Sequence, residues 1–336
     1  MQRFNNFSLK QYNTFNIDVK AKEFIQFDEP KEIRNWIEEG EFNNPFLILG
    51  GGSNLLFTRD YDGSVLYPAF KGKKIVNEND DYAFVYFAAG EDWDQCVEWA
   101  VEHNLWGVEN LSLIPGHAGA APVQNIGAYG VELSDLVETV EGVYLETGKK
   151  FLKKKDSCSY GYRYSIFKGP LRNKVIVTGV TLRLNKKPAT KLGYGSLKVE
   201  VENMGAITLQ NIRKAVINIR TSKLPDPEEK GNGGSFFKNP VISGNFYKNL
   251  QDKWPEIPGY FLNESNRVKV PAGWLIDKAG WKGYKSGRAG VHDKQALVLV
   301  NNGGASGLEI ADLAMKIKED IIQKFEILLE TEVNIL

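Results

Sequence analysis

Residues 113–130 restrict this chain more than any other stretch: eighteen positions, LIPGHAGAAPVQNIGAYG, without one Asp, Glu, Lys or Arg. They carry neither the two-residue period of a half-buried strand nor the 3.6-residue period of an amphipathic helix, and a chargeless segment makes a poor solvated loop. Small residues let the main chain approach a ligand closely, and main-chain groups then supply the hydrogen bonds. The stretch is therefore expected to form a backbone wall laid against a large, flat, polar ligand. His117 within it is one of three histidines, with His103 and His292 distant in sequence. No metal site is expected from them, and each is expected to be satisfied by backbone.

Two further glycine-rich stretches follow the same logic. The apolar run Phe46, Leu47, Ile48, Leu49 leads straight into Gly50, Gly51, Gly52, Ser53, Asn54 and Leu55. Consecutive N–H groups converge on an anion only where no Cβ intervenes, so this is a phosphate cradle in outline. It is neither the Gly-x-Gly-x-x-Gly of dinucleotide folds nor a Walker loop, since no Lys-Ser/Thr follows. A tight turn accounts for it equally well. Residues 231–240, GNGGSFFKNP, would deliver Ser235 from a flexible loop anchored by Phe236 and Phe237, with Lys238 and Asn239 beside it. Taken alone, that composition favours a glycine-rich turn entering a strand.

A chain of 336 residues exceeds one ordinary core, so two or three domains are expected. Its 42 Lys and Arg balance 42 Asp and Glu, leaving no global field to attract nucleic acid or anionic membranes. The cluster Lys149, Lys150, Lys153, Lys154 and Lys155 reads as the solvated end of a hairpin. No apolar run approaches the ~20 residues of a membrane span. The opening residues lack a signal peptide's apolar segment, and Cys96 and Cys158 show no metal-ligand spacing. A cytoplasmic protein with reduced thiols, no metal and no membrane insertion is expected.

Patterning places a strand over 17–27, a helix capped by Asp28, and strands over 63–67, 74–77 and 82–88. A helix over 93–102, a hairpin over 137–152 and a strand over 174–184 follow. The polar linker 185–188 marks a boundary. Tyr194 between two glycines reads as a mobile flap. Thr208 caps a helix that Pro225 and Pro227 stop, and Pro271 opens another. Ser306 and Glu309 form a capping box ahead of the longest helix. Residues 329–336 read as a final strand. Without a regular βαβ count, the class is α+β.

Four motifs stand in order: LGGGSNLL, QNIGAYGVEL, YRYSIFK and GNGGSFFKNP. Together they closely resemble those of the UDP-N-acetylenolpyruvoylglucosamine reductases, the FAD-dependent MurB enzymes of peptidoglycan synthesis. The resemblance spans residues 13–333, and Tyr194 suggests the subclass with an extra tyrosine flap. It implies an FAD-binding region of two α+β subdomains, of the vanillyl-alcohol-oxidase (PCMH) type, plus a C-terminal α+β substrate domain. The expected divisions are 1–70, joined by 329–336, then 71–219, and 220–328 for the UDP-sugar. Gly50, Gly51, Gly52, Ser53, Asn54 and Leu55 would hold the pyrophosphate. Pro115, Gly116, Ala120, Ala121, Gln124, Asn125, Gly127, Ala128 and Tyr129 would line the rest of FAD. With Ser53 and Asn54 in the loop where superfamily relatives sometimes carry a flavin-bonded His, FAD is expected to be non-covalent.

By the same resemblance NADPH is the electron donor. Arg163 is the cation at the substrate carboxylate, Glu332 a protonated hydrogen-bond donor or an orienter of Arg163, and Ser235 the proton donor to the carbon beside it. Charge that develops on that carboxylate needs a fixed cation, which is usually a large term in such catalysis. Tyr194, Lys223, Asn239 and Gln295 would take the nucleotide sugar. Two departures stand out: Ala120 and Ala121 where relatives often hold Ser-Ser, and Asn334 where they often carry Arg. Small-molecule substrates and a monomer are expected. The rival readings are a flavin oxidase of the same superfamily, acting on an alcohol or lactone, and a non-catalytic nucleotide-sugar binder.

Overall fold

The computed structural model describes residues 1–40, 45–262 and 266–336. Its class is α+β, and the chain divides into two compact units, each assembled from three stretches. The first comprises Met1–Phe7, Ala21–Gly51 and Asp62–Ser222; the second Ser8–Lys20, Gly52–Tyr61 and Lys223–Leu336.

Among the described residues the first unit holds two larger sheets and a two-stranded hairpin. One has strands in the order Gln2–Ser8, Lys20–Phe27, Tyr61–Pro68 and Phe46–Ile48, the last pair parallel. The other is a five-stranded antiparallel sheet in the order Lys150–Lys154, Val137–Tyr144, Val175–Asn185, Tyr82–Ala88 and Lys73–Glu78. Helix α1, Pro30–Glu38, packs Ile33 and Trp36 against Ile25 and Phe27 of the first sheet. Its N-cap is Glu29, closed by a reciprocal box with Glu32, rather than the expected Asp28. Asp28 instead accepts from the Gln2 and Gln26 side chains.

Helix α2, Trp93–Glu102, starts where Asp92 accepts the Gln95 N–H at 3.0 Å. It buries Trp93, Cys96, Val97, Ala100 and Val101 in the core of the five-stranded sheet, which the apolar residues of the wall complete. The wall itself contains one short helix, α3, Ala121–Gln124. Helices α4, Leu197–Asn203, and α5, Leu209–Lys223, share a smaller core of Leu197, Val201, Ile212, Val216 and Ile219. Thr208 caps α5 by accepting the Asn211 N–H at 3.1 Å.

In the second unit, four strands run in the order Gly231–Ser235, Val298–Asn301, Ala289–Val291 and Lys285–Ser286. A three-stranded sheet pairs Val241–Ser243 with Arg267–Lys269 and that with Tyr260–Leu262. Helices α6, Gly244–Lys253, α7, Ala272–Lys278, and α8, Gly307–Phe325, complete it. Helix α8 opens on the expected Ser306–Glu309 box and buries Ile310, Leu313, Ala314, Ile317, Ile321 and Phe325. The expected final strand shrinks to Asn334–Ile335, paired in parallel with Leu55–Leu56. The expected strand over 17–27 starts only at Lys20. Before it, Asn13 folds back on its own segment, accepting the Ile17 N–H and donating to the Leu9 and Ile17 carbonyls.

Candidate active site

The wall of the first unit is held from behind by the approach to α2. Ala89, Glu91 and Trp93 bond to the main chain at Gly119, Ala118 and Gly116, and the Trp93 indole donates to the Leu111 carbonyl at 2.9 Å. Asp94 adds a charged clamp. It accepts the Leu113 N–H at 2.5 Å and takes both arms of the Arg213 guanidinium at 2.7 and 2.9 Å. Leu113 sits at φ +58°, a region that branched side chains seldom occupy, so the clamp fixes a strained turn. Burial alone would raise the Asp94 carboxyl, but Arg213 and the Leu113 N–H outweigh it and hold it below the usual carboxylate range.

The wall's outer face carries the marks of a polar ligand site. A Cβ on Gly51 would stand 2.8 Å from Gly116 Cα and 3.3 Å from His117 Cδ2, so the cradle turn meets the wall backbone to backbone. Gly50 packs likewise on Ala120. Arg220, at the end of α5, has a buried Nε with no hydrogen-bond partner, and burial draws its guanidinium below the ordinary range. Buried donors without acceptors are rare in finished structures, and a bound polar ligand would complete this one. Close backbone approach and an orphaned cation fit a large anionic cofactor such as FAD.

Arg163 belongs to this unit. It has φ +53°, and its guanidinium donates to the Gly127 carbonyl at 2.9 Å and the Asn125 carbonyl at 3.4 Å. The Tyr162 ring lies 5.4 Å from it. Asn125, itself left-handed, ties this corner together by donating to Glu132 and to the Gly161 carbonyl. Gly127 and Ala128 pair with Val131 and Glu132 in a small hairpin. Tyr129 lies edge-on to Tyr194, which is 55% exposed. Of the remaining wall residues, Pro115 is exposed and Gln124 half-buried, whereas Ala121 is buried in the core behind the wall.

In the second unit, Ser235 ends a strand and is not on a free loop. Asn232 pairs with Val300 and Ser235 with Val298, so the strand bulges at Gly233 and Gly234, the latter at φ +68°. Bulges re-aim side chains and recur beside active sites. Asn232 holds this one by accepting the Gly234 N–H at 2.9 Å while donating to the Pro225 and Lys230 carbonyls. Phe236 and Phe237 are fully buried, as expected of anchors.

The segment after the serine pairs with the one that carries Glu332. Glu332 N–H donates to the Phe236 carbonyl at 2.8 Å, Lys238 N–H to the Glu330 carbonyl, and Phe237 bridges Thr331. Ser235 and Glu332 are thus brought together by the fold of this unit. Asn54 donates to the Glu332 carbonyl at 3.1 Å, and both amides of Asn334 donate to the Asn54 carbonyl. Asn334, one of the two departures named from the sequence, thus fastens the Asn54 segment. Gly52 fits only as glycine, since a Cβ there would fall 2.0 Å from the Tyr12 carbonyl oxygen. Ser53 and Leu55 flank Asn54 in the same segment.

Asn239 and Gln295 converge on the first turn of α7. Asn239 accepts the Ala272 N–H at 2.9 Å, and Gln295 Oε1 stands 3.1 Å from where a Gly273 Cβ would be. Lys223 is exposed. Sequence reasoning missed Asp94, Arg213, Arg220 and Asn232 as site-building residues. Asp94 and Arg213 are 119 residues apart and carry no local signature, whereas Asn232 inside a Gly-x-Gly-Gly run was a readable cue. The histidine expectation holds for His103, bonded to the Trp99 carbonyl at 2.7 Å, but fails for His117 and His292, whose buried Nδ1 atoms lack partners. Among the described residues no cluster of His, Cys, Asp and Glu could hold a metal, and no helix is long and apolar enough to cross a membrane.

Residues 21–150 match the model of the FAD binding domain, and residues 226–336 that of the C-terminal domain of UDP-N-acetylenolpyruvoylglucosamine reductase. The chain is 46% identical to the protein of that name from Bacteroides fragilis, over 98% of each chain. It is 43% identical to the one from Pseudomonas aeruginosa, over 98% of this chain and 97% of that one. In structure it resembles the Thermus caldophilus enzyme, with a TM-score of 0.70 over 99% of this chain and 98% of that one, at 24% identity.

Proposed function

The chain belongs to the UDP-N-acetylenolpyruvoylglucosamine reductases, and from that premise we propose how its own residues divide the work. The reaction is the FAD-dependent reduction of the enolpyruvyl ether of UDP-N-acetylglucosamine to UDP-N-acetylmuramate, a step of peptidoglycan precursor synthesis. FAD, recharged by NADPH, supplies the hydride that adds to the vinyl carbon. Ser235 gives its hydroxyl proton to the neighbouring carbon. Arg163 balances the charge that builds on the substrate carboxylate, and Glu332 donates to that carboxylate or orients the groups around it. An alcohol is a weak acid, so Ser235 serves only because the carbon it protonates is strongly basic at that moment.

The observation that supports this assignment is the pairing of the segment directly after Ser235 with the one that carries Glu332, since the two residues then lie on neighbouring stretches of backbone beside a bulge. Asn239 and Gln295, together at the first turn of α7, are proposed to read the UDP moiety, with Lys223 at its diphosphate. Tyr194, exposed and edge-on to Tyr129, is proposed as the aromatic flap. Gly50, Gly51, Gly52, Ser53, Asn54 and the wall to Tyr129 are proposed to hold FAD non-covalently. The working form is taken to be a cytoplasmic monomer, which sedimentation would check.

An anaerobic visible spectrum through both half-reactions tests the reading. The flavin should bleach with NADPH and regain its colour when the enolpyruvyl sugar is added. Bleaching that only oxygen reverses would favour the oxidase, and the substrate assignment would fall. Flavin that stays with the protein after acid precipitation would refute the non-covalent expectation.

A further inference from the structure

His117 lies in the wall of the first unit, and its main chain is fixed on both sides. It bridges Asp92, and its carbonyl accepts the N–H groups of Ala120 and Ala121 at 3.0 and 3.3 Å. Tyr67 covers the ring, with centroids 5.7 Å apart. The Cδ2 edge of the imidazole touches the cradle, 3.3 Å from where a Gly51 Cβ would be. Nδ1, on the other edge, is buried and has no hydrogen-bond partner. With the proton on Nε2, the atom next to Cδ2, Nδ1 keeps only a bare lone pair and the ring's N–H stands on the cradle's side.

The charges around the ring come from three places. Lys71 is the cation, its Nζ donating to the Gly90 carbonyl. Glu91 is occupied by the Gly72 N–H at 2.6 Å and by Lys73 at 3.6 Å, and Asp92 caps α2. Burial, then Lys71, press the imidazole below its ordinary range, against the opposing pull of Asp92 and Glu91. In the flavin-free protein the ring is therefore neutral near pH 7. An anion at the cradle would reverse that balance, because it favours the imidazolium.

We propose that His117 is a contact residue for the diphosphate of FAD at Gly50 and Gly51, and that cofactor binding there takes up a proton on its imidazole. The proposal rests on the assignment of the cradle to FAD given above. It also gives a polar group to residues 115–121, which carry no hydroxyl. Since the ring's pKa rises when the anion binds, affinity for FAD increases as pH falls through the interval between the flavin-free and flavin-bound values. One linked proton changes affinity by up to about tenfold per pH unit within that interval. The diphosphate and both ring systems of oxidised FAD keep one protonation state there.

The experiment is the FAD dissociation constant of the purified protein between about pH 5.5 and 8, read from the fluorescence of released flavin. The native protein should bind more tightly towards the acid end. His117→Gln, which keeps a neutral donor of similar reach, should bind comparably at pH 8 with a flat profile. His103→Gln, altering a ring stacked on Trp99, should keep the native slope. The 31P shift of FAD bound to the native protein should titrate in the same window, which tests the idea even if the Gln variant does not fold. A native slope retained in His117→Gln, or a 31P shift that stays flat, overturns the proposal while the flavin assignment stands. A protein that binds no FAD at any pH overturns both.

Discussion

Asn232 commits its whole side-chain amide to the main chain around Ser235, bonding Gly234, Pro225 and Lys230 at once. The carboxamide is nearly fully buried, at 3% exposure, so truncation leaves those groups without replacement. Asn232→Ala should cost about 1–3 kcal/mol in a thermal melt. By loosening the bulge, it should also slow the reoxidation of reduced flavin by substrate while leaving flavin content unchanged. Ser235→Ala isolates the proton itself. Reduction by NADPH should proceed at the native rate, and the second half-reaction should slow about 10²–10⁴-fold, the usual worth of a positioned acid. If both halves run normally in stopped flow, Ser235 is not the donor. At this scale the sequence was informative wherever chemistry needs an unusual local run, as in residues 231–240. It was silent where one side chain reaches across the fold, as Arg213 does to Asp94.

Among the elements, α2 and α5 are joined by that ion pair, and the wall turn at Leu113 is fixed by the same carboxylate. The Asp94 and Arg213 side chains retain 26% and 11% exposure, so water screens the pair only in part. Asp94→Asn should destabilise the protein by about 2–3 kcal/mol near pH 7. The pH dependence has a definite sign. A carboxyl depressed in the folded state contributes its full stability above the unfolded value, near pH ~4, and loses it as pH falls through the lower folded value. Melts taken from pH 7 downwards should therefore show the gap between native and variant closing only at the acid end. Elements with a cap and a clean apolar face, α2 and α8, were legible nearly to the residue. Helix α6 was not, because only Gly244, Tyr247 and Leu250 are buried along its ten residues. The tail failed for the opposite reason: its alternation suited a long strand, but Leu55–Leu56 offers only a two-residue partner.

For the molecule as a whole, the second unit depends on residues far apart in the chain. The Thr14 hydroxyl donates to the Asn232 carbonyl at 2.6 Å, and Asn301 donates to the Phe15 carbonyl at 2.8 Å. Phe15 and Phe57 are both fully buried. A fragment of residues 223–336 lacks both phenylalanines and the Leu55–Leu56 strand, so it should give no cooperative thermal transition and weak near-ultraviolet dichroism. A sharp melt from that fragment would contradict the division. The same interleaving sets a timetable on the ribosome. The first unit has all its residues once Ser222 has emerged, but residues 8–20 and 52–61 are synthesised early and must wait for partners up to Leu336. During that interval Phe15 and Phe57 stand in water beside a nascent chain. Slow translation through residues 223–336 would lengthen their exposure, so the yield of this protein should depend on elongation rate and holdase chaperones more than its final stability suggests.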